Sequence, residues 1–483
     1  MSAAPPVPRF DPRRRAAVTV ALILVTTLAS FESTVVSTAM PTIIGDLGGL
    51  PFYSWVFSAY LLASTITMPL FGRLADIHGR RRVLLAAILI FLAGAAACAF
   101  ARSMTQLIAA RGLQGLGAGG LLPIALTVSG DLFTLRERAR IQAIFSGVWG
   151  VASLLGPLLG AAMTLSFGWR SIFSINLPLG ALAFALVLTQ MRESRAPLAD
   201  PFDAVGGATL ASGVTLLLLA TLHGPGLPLR LGLVALSLAA LFAFVRIQSR
   251  QRHPLIPLSL FRRRETAAPY AAGLILGTTI YGIDAFVPLF VQGARGGTAA
   301  AAGAVVTPVV LLWAVSAALA ARAVVAFGFR RTAQAGAVLI GLGFVALIAA
   351  VSLHAGVPWI SGACALLGAG LGPSSMSQVL AIQAEAPERE RGVATSLVPF
   401  FRTVGGALGV SALGGILAAG LARRLGAAAG AASQVLSGGS APGVRDAIAA
   451  SLLPVFVVLL LLALVNVLLT RRFPGDVPQR RAR

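Results

Sequence analysis

The sequence predicts an all-α integral membrane protein of 14 spans, built as two six-helix halves with two extra helices between them. Three observations carry that prediction. The 483 residues are 57% hydrophobic and 11% charged, against roughly 25% charged in an ordinary soluble domain, and the mean hydropathy is +0.87. Apolar runs long enough to cross a bilayer recur along the whole chain. The 38 basic residues, every one an Arg, fall in short clusters between those runs. In a soluble chain a net charge of +22 would raise nucleic acid as a partner. Spread in this way it is a topology pattern, so the expected partner is the lipid bilayer and no nucleic acid is expected.

At roughly 20 apolar residues per span, the runs fall at about 17–41, 52–72, 83–101, 105–130, 141–165, 170–191, 203–222, 230–248, 267–292, 299–321, 333–353, 357–384, 392–420 and 447–470. Backbone groups in lipid must be satisfied within the segment, so each run is a helix. With the N-terminus in the cytoplasm, 29 arginines lie on the inner side and two, Arg111 and Arg402, within spans. Seven lie outside: Arg102, Arg170, Arg230, Arg295, Arg423, Arg424 and Arg445. That bias predicts an even number of spans with both termini cytoplasmic. Twelve spans satisfy the same parity if the short seventh and eighth runs are discounted. Arg192 and Arg195 before that pair, and Arg246, Arg250 and Arg252 after it, favour fourteen.

The expected organisation is a cytoplasmic tail (1–16), a first half (17–191), a two-helix insertion with a cytoplasmic linker (192–266), a second half (267–470) and a second cytoplasmic tail (471–483). The basic start, Arg13 to Arg15, runs into an apolar segment with no small-residue cleavage site, which reads as a retained first span. The Gly-, Ala- and Ser-rich stretch 421–446 reads as a mobile external loop.

The halves show a weak repeat. Arg73, Gly79, Arg81 and Arg82 recur as Arg322, Gly328, Arg330 and Arg331 at an offset of 249 (322 − 73). Arg136-Glu137-Arg138 recurs as Arg389-Glu390-Arg391 at an offset of 253 (389 − 136). Arg-rich loops can resemble each other by composition alone, but paired halves around a midplane site are the general build of secondary transporters.

Catalytic chemistry finds no foothold. Cys98 and Cys364 sit inside apolar runs, and His78, His223, His253 and His354 are far apart, so neither a disulfide framework nor a metal site is expected. No Ser/His/Asp grouping and no phosphate-binding G-x-x-x-x-G-K-[ST] loop occurs, and the chain has no Lys. An enzyme is not expected, nor a cofactor.

An ionisable group within a span costs at least roughly 2.5–3.5 kcal/mol, so each is a functional candidate. The candidates are Glu32, Asp284, Arg111 and Arg402. At about 1.5 Å per residue, Glu32 lies roughly 22 Å from the inner end of the first span and Arg111 roughly 9 Å from the outer end of the fourth. In a core about 30 Å thick these depths nearly coincide. We therefore expect Glu32 and Arg111 to interact, as a proton-exchanging pair or as a static one. Asp284, with Tyr281 and Phe286 nearby, suits a lipophilic cation by charge and ring attraction, suits a proton equally, or reaches water at a span end. Arg402 either attracts anions or neutralises the acids. Asp131, Asp203 and Glu385 lie near span ends and read as interfacial.

Three motifs carry a resemblance. Gly72 to Arg82 reads G-R-L-A-D-I-H-G-R-R-R and resembles the loop after the second span in the major facilitator superfamily. Phe31 to Pro41, with Glu32 where Asp is usual, resembles the first span of the 14-span drug:proton antiporters. Gly147 to Gly160 resembles the helix motif of the antiporter branches. Arg111-Gly-Leu-Gln, Gly168-Trp169-Arg170, Asn176-Leu177-Pro178-Leu179-Gly180 and Arg402-x-x-Gly405-Gly406 extend the match over nearly the whole chain.

The resemblance implies a major facilitator fold in a bacterial inner membrane, working as a monomer that exports amphiphilic, often cationic compounds in exchange for protons. It implies that Asp76 meets the N-terminus of a helix beginning near Gly392. Arg80 and Arg81 would complete a cytoplasmic latch shaped by Gly72 and Gly79, although Ile77 stands where the family often has a basic residue. It also implies close packing at Gly147, Gly150, Gly156 and Gly160, and a kink at Pro157. An exporter of one dedicated metabolite or antibiotic, and a membrane sensor without transport, are the alternatives.

Overall fold

Residues 12–48, 53–193, 201–221, 226–425 and 442–475 are described in the computed structural model; they are helical almost throughout, with no strand among them. Packing divides the chain into two compact units: Met1–Arg263 with Ile382–Phe400, and Arg264–Ala381 with Phe401–Arg483. The two-helix insertion thus belongs to the first unit, as does the segment 382–400 that the sequence assigned to the second half.

The first unit holds α1 (Pro12–Leu47), α2 (Tyr53–His78), α3 (Arg80–Ala99), α4 (Met104–Leu132), α5 (Leu135–Phe167), the short α6 (Ser171–Ser174), α7 (Asn176–Gln190), α8 (Ala204–Thr221), α9 (Leu227–Arg250) and the short α10 (Ser259–Arg262). α1 packs on α5 and α7, while α2 and α3 pack on α4. Side chains at the helix starts take up free amides. Ser103 caps α4 by accepting from the Gln106 amide, and Thr134 and Glu137 form a reciprocal capping box on α5. Arg15 bonds Glu137 at 2.9 Å and lies over the Phe133 ring. This tie gives α1 a start at Pro12, inside the segment expected to be tail.

α8 and α9 form a hairpin joined by the Ser237 hydroxyl donating to the Gly213 carbonyl at 2.8 Å. Asp203, expected at the interface, is buried instead. It accepts from the Gly206 amide at 2.8 Å and from Gln248 Nε2 at 2.7 Å, so one carboxylate caps α8 and fastens it to α9.

The second unit holds α11 (Arg264–Leu289), a π-helical turn (Phe290–Ala294), α12 (Ala299–Ser352), α13 (Val357–Glu385), α14 (Arg391–Leu425) and α15 (Pro442–Thr470), with α13 and α14 each crossing into the first unit as divided above. Its core gathers Phe286, Val287, Phe290, Phe344, Leu367 and Phe456. The loop expected at 421–446 is shorter, because α14 reaches Leu425 and α15 starts at Pro442; its remainder lies outside the described residues.

By length and composition, 11 helices among the described residues can cross a membrane, or 12 if the two bent parts of α5 count as one span. The difference from the expected fourteen lies in α8, which is short, and in α12. The 54 residues of α12 form one element across a break at Gly328, where φ is 85° and ψ 171°. That conformation sits in the left-handed half of the map, where a Cβ is penalised. Gly79, between α2 and α3, has φ 94° and ψ 148°. The two glycines are 249 residues apart (328 − 79), the offset read from the arginine loops.

The repeat extends to the packing. On α4, the faces at Gly115, Gly117 and Gly119 lie against Tyr60, Phe91 and Thr67. On α13, Gly368, Gly370 and Gly372 lie against Val309, Ile340 and Ser316. The glycines are offset by 253 (368 − 115) and their partners by 249 (309 − 60, 340 − 91, 316 − 67). The two stretches of α12 therefore stand to α13 as α2 and α3 stand to α4.

Candidate functional site

Glu32 and Arg111 form an ion pair through Oε1 and Nη1, with side chains 1% and 2% exposed. The pair exists because α1 and α4 pack together at matching depth. Its other oxygen accepts from Gln114 Nε2 at 2.8 Å and Asn176 Nδ2 at 3.2 Å. Arg111 also donates to Gln114 Oε1 at 2.8 Å and to the Val56 carbonyl at 3.1 Å. Its guanidinium lies 4.3 Å from the Tyr60 ring centroid and 5.9 Å from that of Phe173. Cys98 Sγ is 3.6 Å from Gln114 Oε1. Sequence reasoning named the pair and missed Gln114 and Asn176. Gln114 was findable, since three residues after Arg111 it shares the same helix face. Asn176 was signalled by the motif Asn176 to Gly180, without a role attached to it.

Three donors fill three of the carboxylate's four lone-pair sites. They sit on α4 and α7, and Glu32 on α1, so the carboxylate ties three helices of the first unit together.

Asp284 lies on α11, 252 residues after Glu32 (284 − 32). It is exposed, and among the described residues it makes no hydrogen bond or ion pair. Tyr281, one turn earlier, is 38% exposed; its hydroxyl bonds Thr403 and its ring packs on Gly406. Phe286 does not share this face. Two residues turn a helix by about 200°, and Phe286 is packed into the core beside Val287 and Phe290. Arg402 donates through Nη2 to Gln378 Oε1 at 2.8 Å, and Gln378 in turn donates to the Pro269 carbonyl at 2.5 Å. Arg402 is thus held by an amide, with no acid bonded to it among the described residues.

A second cluster surrounds Asp76. It accepts from the Gly392 and Val393 amides at 3.0 and 2.9 Å, at the start of α14, where the helix dipole favours an anion. Arg80 bonds Asp76 through Nη2 at 2.7 Å and Asp131 through Nε at 3.0 Å, and Arg391 closes the chain on Asp131 at 2.9 Å. A Cβ at Gly72 would strike Ser396 and the Gly392 carbonyl, so α2 and α14 meet at their backbones. Arg81 does not join the cluster. Its guanidinium turns to the Leu188 carbonyl at 2.5 Å, while its amide and that of Arg80 donate to the Glu193 carboxylate at 3.1 and 2.9 Å. Asp131, expected at the interface, is a buried centre of the network, 1% exposed. Asp131, Arg391 and Glu193 were missed because their partners are 51 to 260 residues away.

α5 bends by 53° between Arg136–Ser153 and Leu158–Phe167, and Gly156 and Pro157 lie in the break. Gly150, Gly156 and Gly160 are buried. Gly147, expected to allow close packing, has nothing within 4 Å of a Cβ placed on it. At the far end of α1, Asp46 accepts from Trp169 Nε1 at 2.9 Å and Arg170 Nη1 at 3.0 Å. The indole bond, and then the Arg170 contact, hold its carboxyl below the usual range.

A model of the Major Facilitator Superfamily matches residues 22–410. Multidrug transporter protein MdtP of Bacillus subtilis (strain 168) is 35% identical over 404 residues, 82% of this chain and 74% of that protein. Multidrug resistance protein 3 of the same organism is 30% identical over 403 residues, 82% of this chain and 78% of that one. Among solved structures, the human organic anion transporter MFSD10 (TETRAN) matches 94% of this chain and 100% of its own with a TM-score of 0.63; at 17% identity this likeness concerns the fold. With most of the chain matched by the family model and by relatives of this similarity, the protein belongs to the Major Facilitator Superfamily as a multi-pass membrane protein.

Proposed function

We propose that this chain is a proton-coupled multidrug efflux transporter that exports amphiphilic, often cationic compounds by alternating access. The observation that carries the coupling is the buried carboxylate of Glu32, ringed by Arg111, Gln114 and Asn176. Protonation breaks the contact with Arg111, whose charge is then held by Gln114, the Val56 carbonyl and the Tyr60 ring. Deprotonation restores it. Each inward proton supplies roughly 2.3 kcal/mol per 100 mV of membrane potential and about 1.4 per pH unit, enough to concentrate a cargo more than tenfold.

Asp284, exposed and unbonded beside an exposed Tyr281, is the group we assign to cationic cargo. The Asp76 cluster serves as the cytoplasmic latch, strong when its buried charges are all paired. We further propose 14 spans with both termini in the cytoplasm of a bacterium, no enzymatic activity, and a monomer as the working unit. The positive-φ glycines at equivalent places support counting α12 as two spans.

The test is transport in proteoliposomes under an imposed pH gradient, with a panel of lipophilic cations and neutral drugs. Cargo addition discharges the gradient. Glu32→Gln reduces that discharge at least tenfold at normal protein yield, and Asp284→Asn weakens cation transport more than neutral-drug transport. Normal coupling in Glu32→Gln would overturn the assignment. A gradient that no cargo discharges, with ligand still bound, would favour a sensor.

A further inference from the structure

The second unit carries a separate cluster of charge at the end opposite Arg330, Arg331 and Phe473, the end that the arginine count places outside. A cavity of about 140 Å³ opens there between the π-helical turn, the end of α12 and the start of α15, lined by Arg295, His354, Arg445 and Asp446. This volume is well below the roughly 300–1,000 Å³ of a drug-sized pocket. It leaves room for a single phosphate or carboxylate group.

Charge and unmet bonding point the same way. Arg295 is pinned from behind, donating to the Ala350 carbonyl at 3.0 Å and lying over the Phe290 ring. Its Nε is enclosed with no hydrogen-bond partner. Arg445 is exposed and forms no ion pair among the described residues. Its guanidinium lies against Gly296, where an added Cβ would come within 2.7 Å of Cζ. His354 has φ 54°, a conformation few residues with a side chain adopt outside turns and sites that require it. In either neutral tautomer its ring keeps one N–H donor. Asp446 is the one acid on the lining.

We infer that this cavity binds a small oxyanion, a phosphate group above all, between Arg295 and Arg445 with His354 as a third donor. Arg is the suited side chain, since its planar fork matches oxyanion geometry. An occupant ties the turn after α11, the end of α12 and the first turn of α15 together. The phosphate comes either free from solution or as the headgroup of an anionic lipid.

Thermal unfolding of the full-length protein separates these sources. In detergent, inorganic phosphate is titrated at constant ionic strength against chloride. In nanodiscs, phosphatidylglycerol is compared with phosphatidylcholine. A saturable rise in Tm with phosphate, its midpoint moved at least tenfold by Arg445→Gln and left alone by Arg102→Gln, supports a free anion. A Tm gain in phosphatidylglycerol alone, erased by Arg445→Gln, supports a headgroup. Arg295→Gln also loses the Ala350 bond and lowers the starting Tm, so Arg445→Gln carries the comparison. Absence of any gain with phosphate or phosphatidylglycerol, or a gain undiminished in Arg445→Gln, overturns the inference.

Discussion

The two units repeat one scaffold and dress it differently. Gly79 and Gly328 make the same turn, and the glycines of α4 and α13 pack on equivalent neighbours. Yet Asp76 corresponds to Val325 and Arg80 to Phe329 at the common offset of 249. The second turn is held by apolar burial of Phe329, by the Arg330 amide bonding the Pro474 carbonyl at 3.2 Å, and by Arg330 Nε bonding that of Phe473 at 3.0 Å. The acids differ likewise. Glu32 has Arg111 and Gln114, whereas the positions 253 residues on are Cys364 and Leu367, and Asp284 stands unbonded. Backbone approach is what the repeat preserves; charge is what one copy gained or the other lost.

Four measurements would break or sharpen that contrast. Arg111→Ala leaves the buried Glu32 carboxylate without its counter-charge and is expected to cost about 3–5 kcal/mol, read as lost Tm and yield. Cys364→Ala, at the matching place, is expected to cost only about 1 kcal/mol, as a small cavity. Adding Glu32→Gln to Arg111→Ala should recover part of the loss, because the two effects are coupled.

Asp76→Asn keeps one acceptor oxygen, leaves the Gly392 or the Val393 amide facing an NH2 group, and removes the charge facing Arg80. A loss of about 1.5–3 kcal/mol follows, measurable by chemical unfolding in detergent. Gly79→Ala and Gly328→Ala each place a Cβ at positive φ with extended ψ, at about 1–3 kcal/mol. At Gly79 the new Cβ would also strike the Glu193 carboxylate that caps α3, so Glu193→Ala should recover part of that loss.

The smallest effect concerns Asp46. A carboxyl whose folded pKa is depressed contributes stability above its ordinary pKa, and loses it as pH falls through the lowered value. Trp169 emission should therefore change at a lower pH than an unperturbed carboxylate would give. Asp46→Asn should remove that transition, with a Tm change that fades in high salt because the group is exposed.

Much of this was legible in the sequence. Apolar runs are a one-dimensional signal, so most of the helices could be read directly. The Glu32–Arg111 contact followed from depth, a quantity that residue counting supplies. Phe286 was misplaced because nearness in sequence was taken for nearness in space, when 200° of helix separates it from Asp284. Asp131 and Glu193 looked interfacial or ordinary because a lone acid at a helix end carries no mark of the distant arginine or amide that will claim it. The break expected between residues 321 and 333 falls at Gly328, whose turn interrupts α12.

Cys98 and Cys364 are the only cysteines in the chain, and each is fully enclosed. Maleimide reagents therefore have no native target on the folded protein. A thiol introduced at exposed Phe167, or one at Arg82, would be the sole labelled position, so reagent access to either end of the first unit can be followed against an unmodified background.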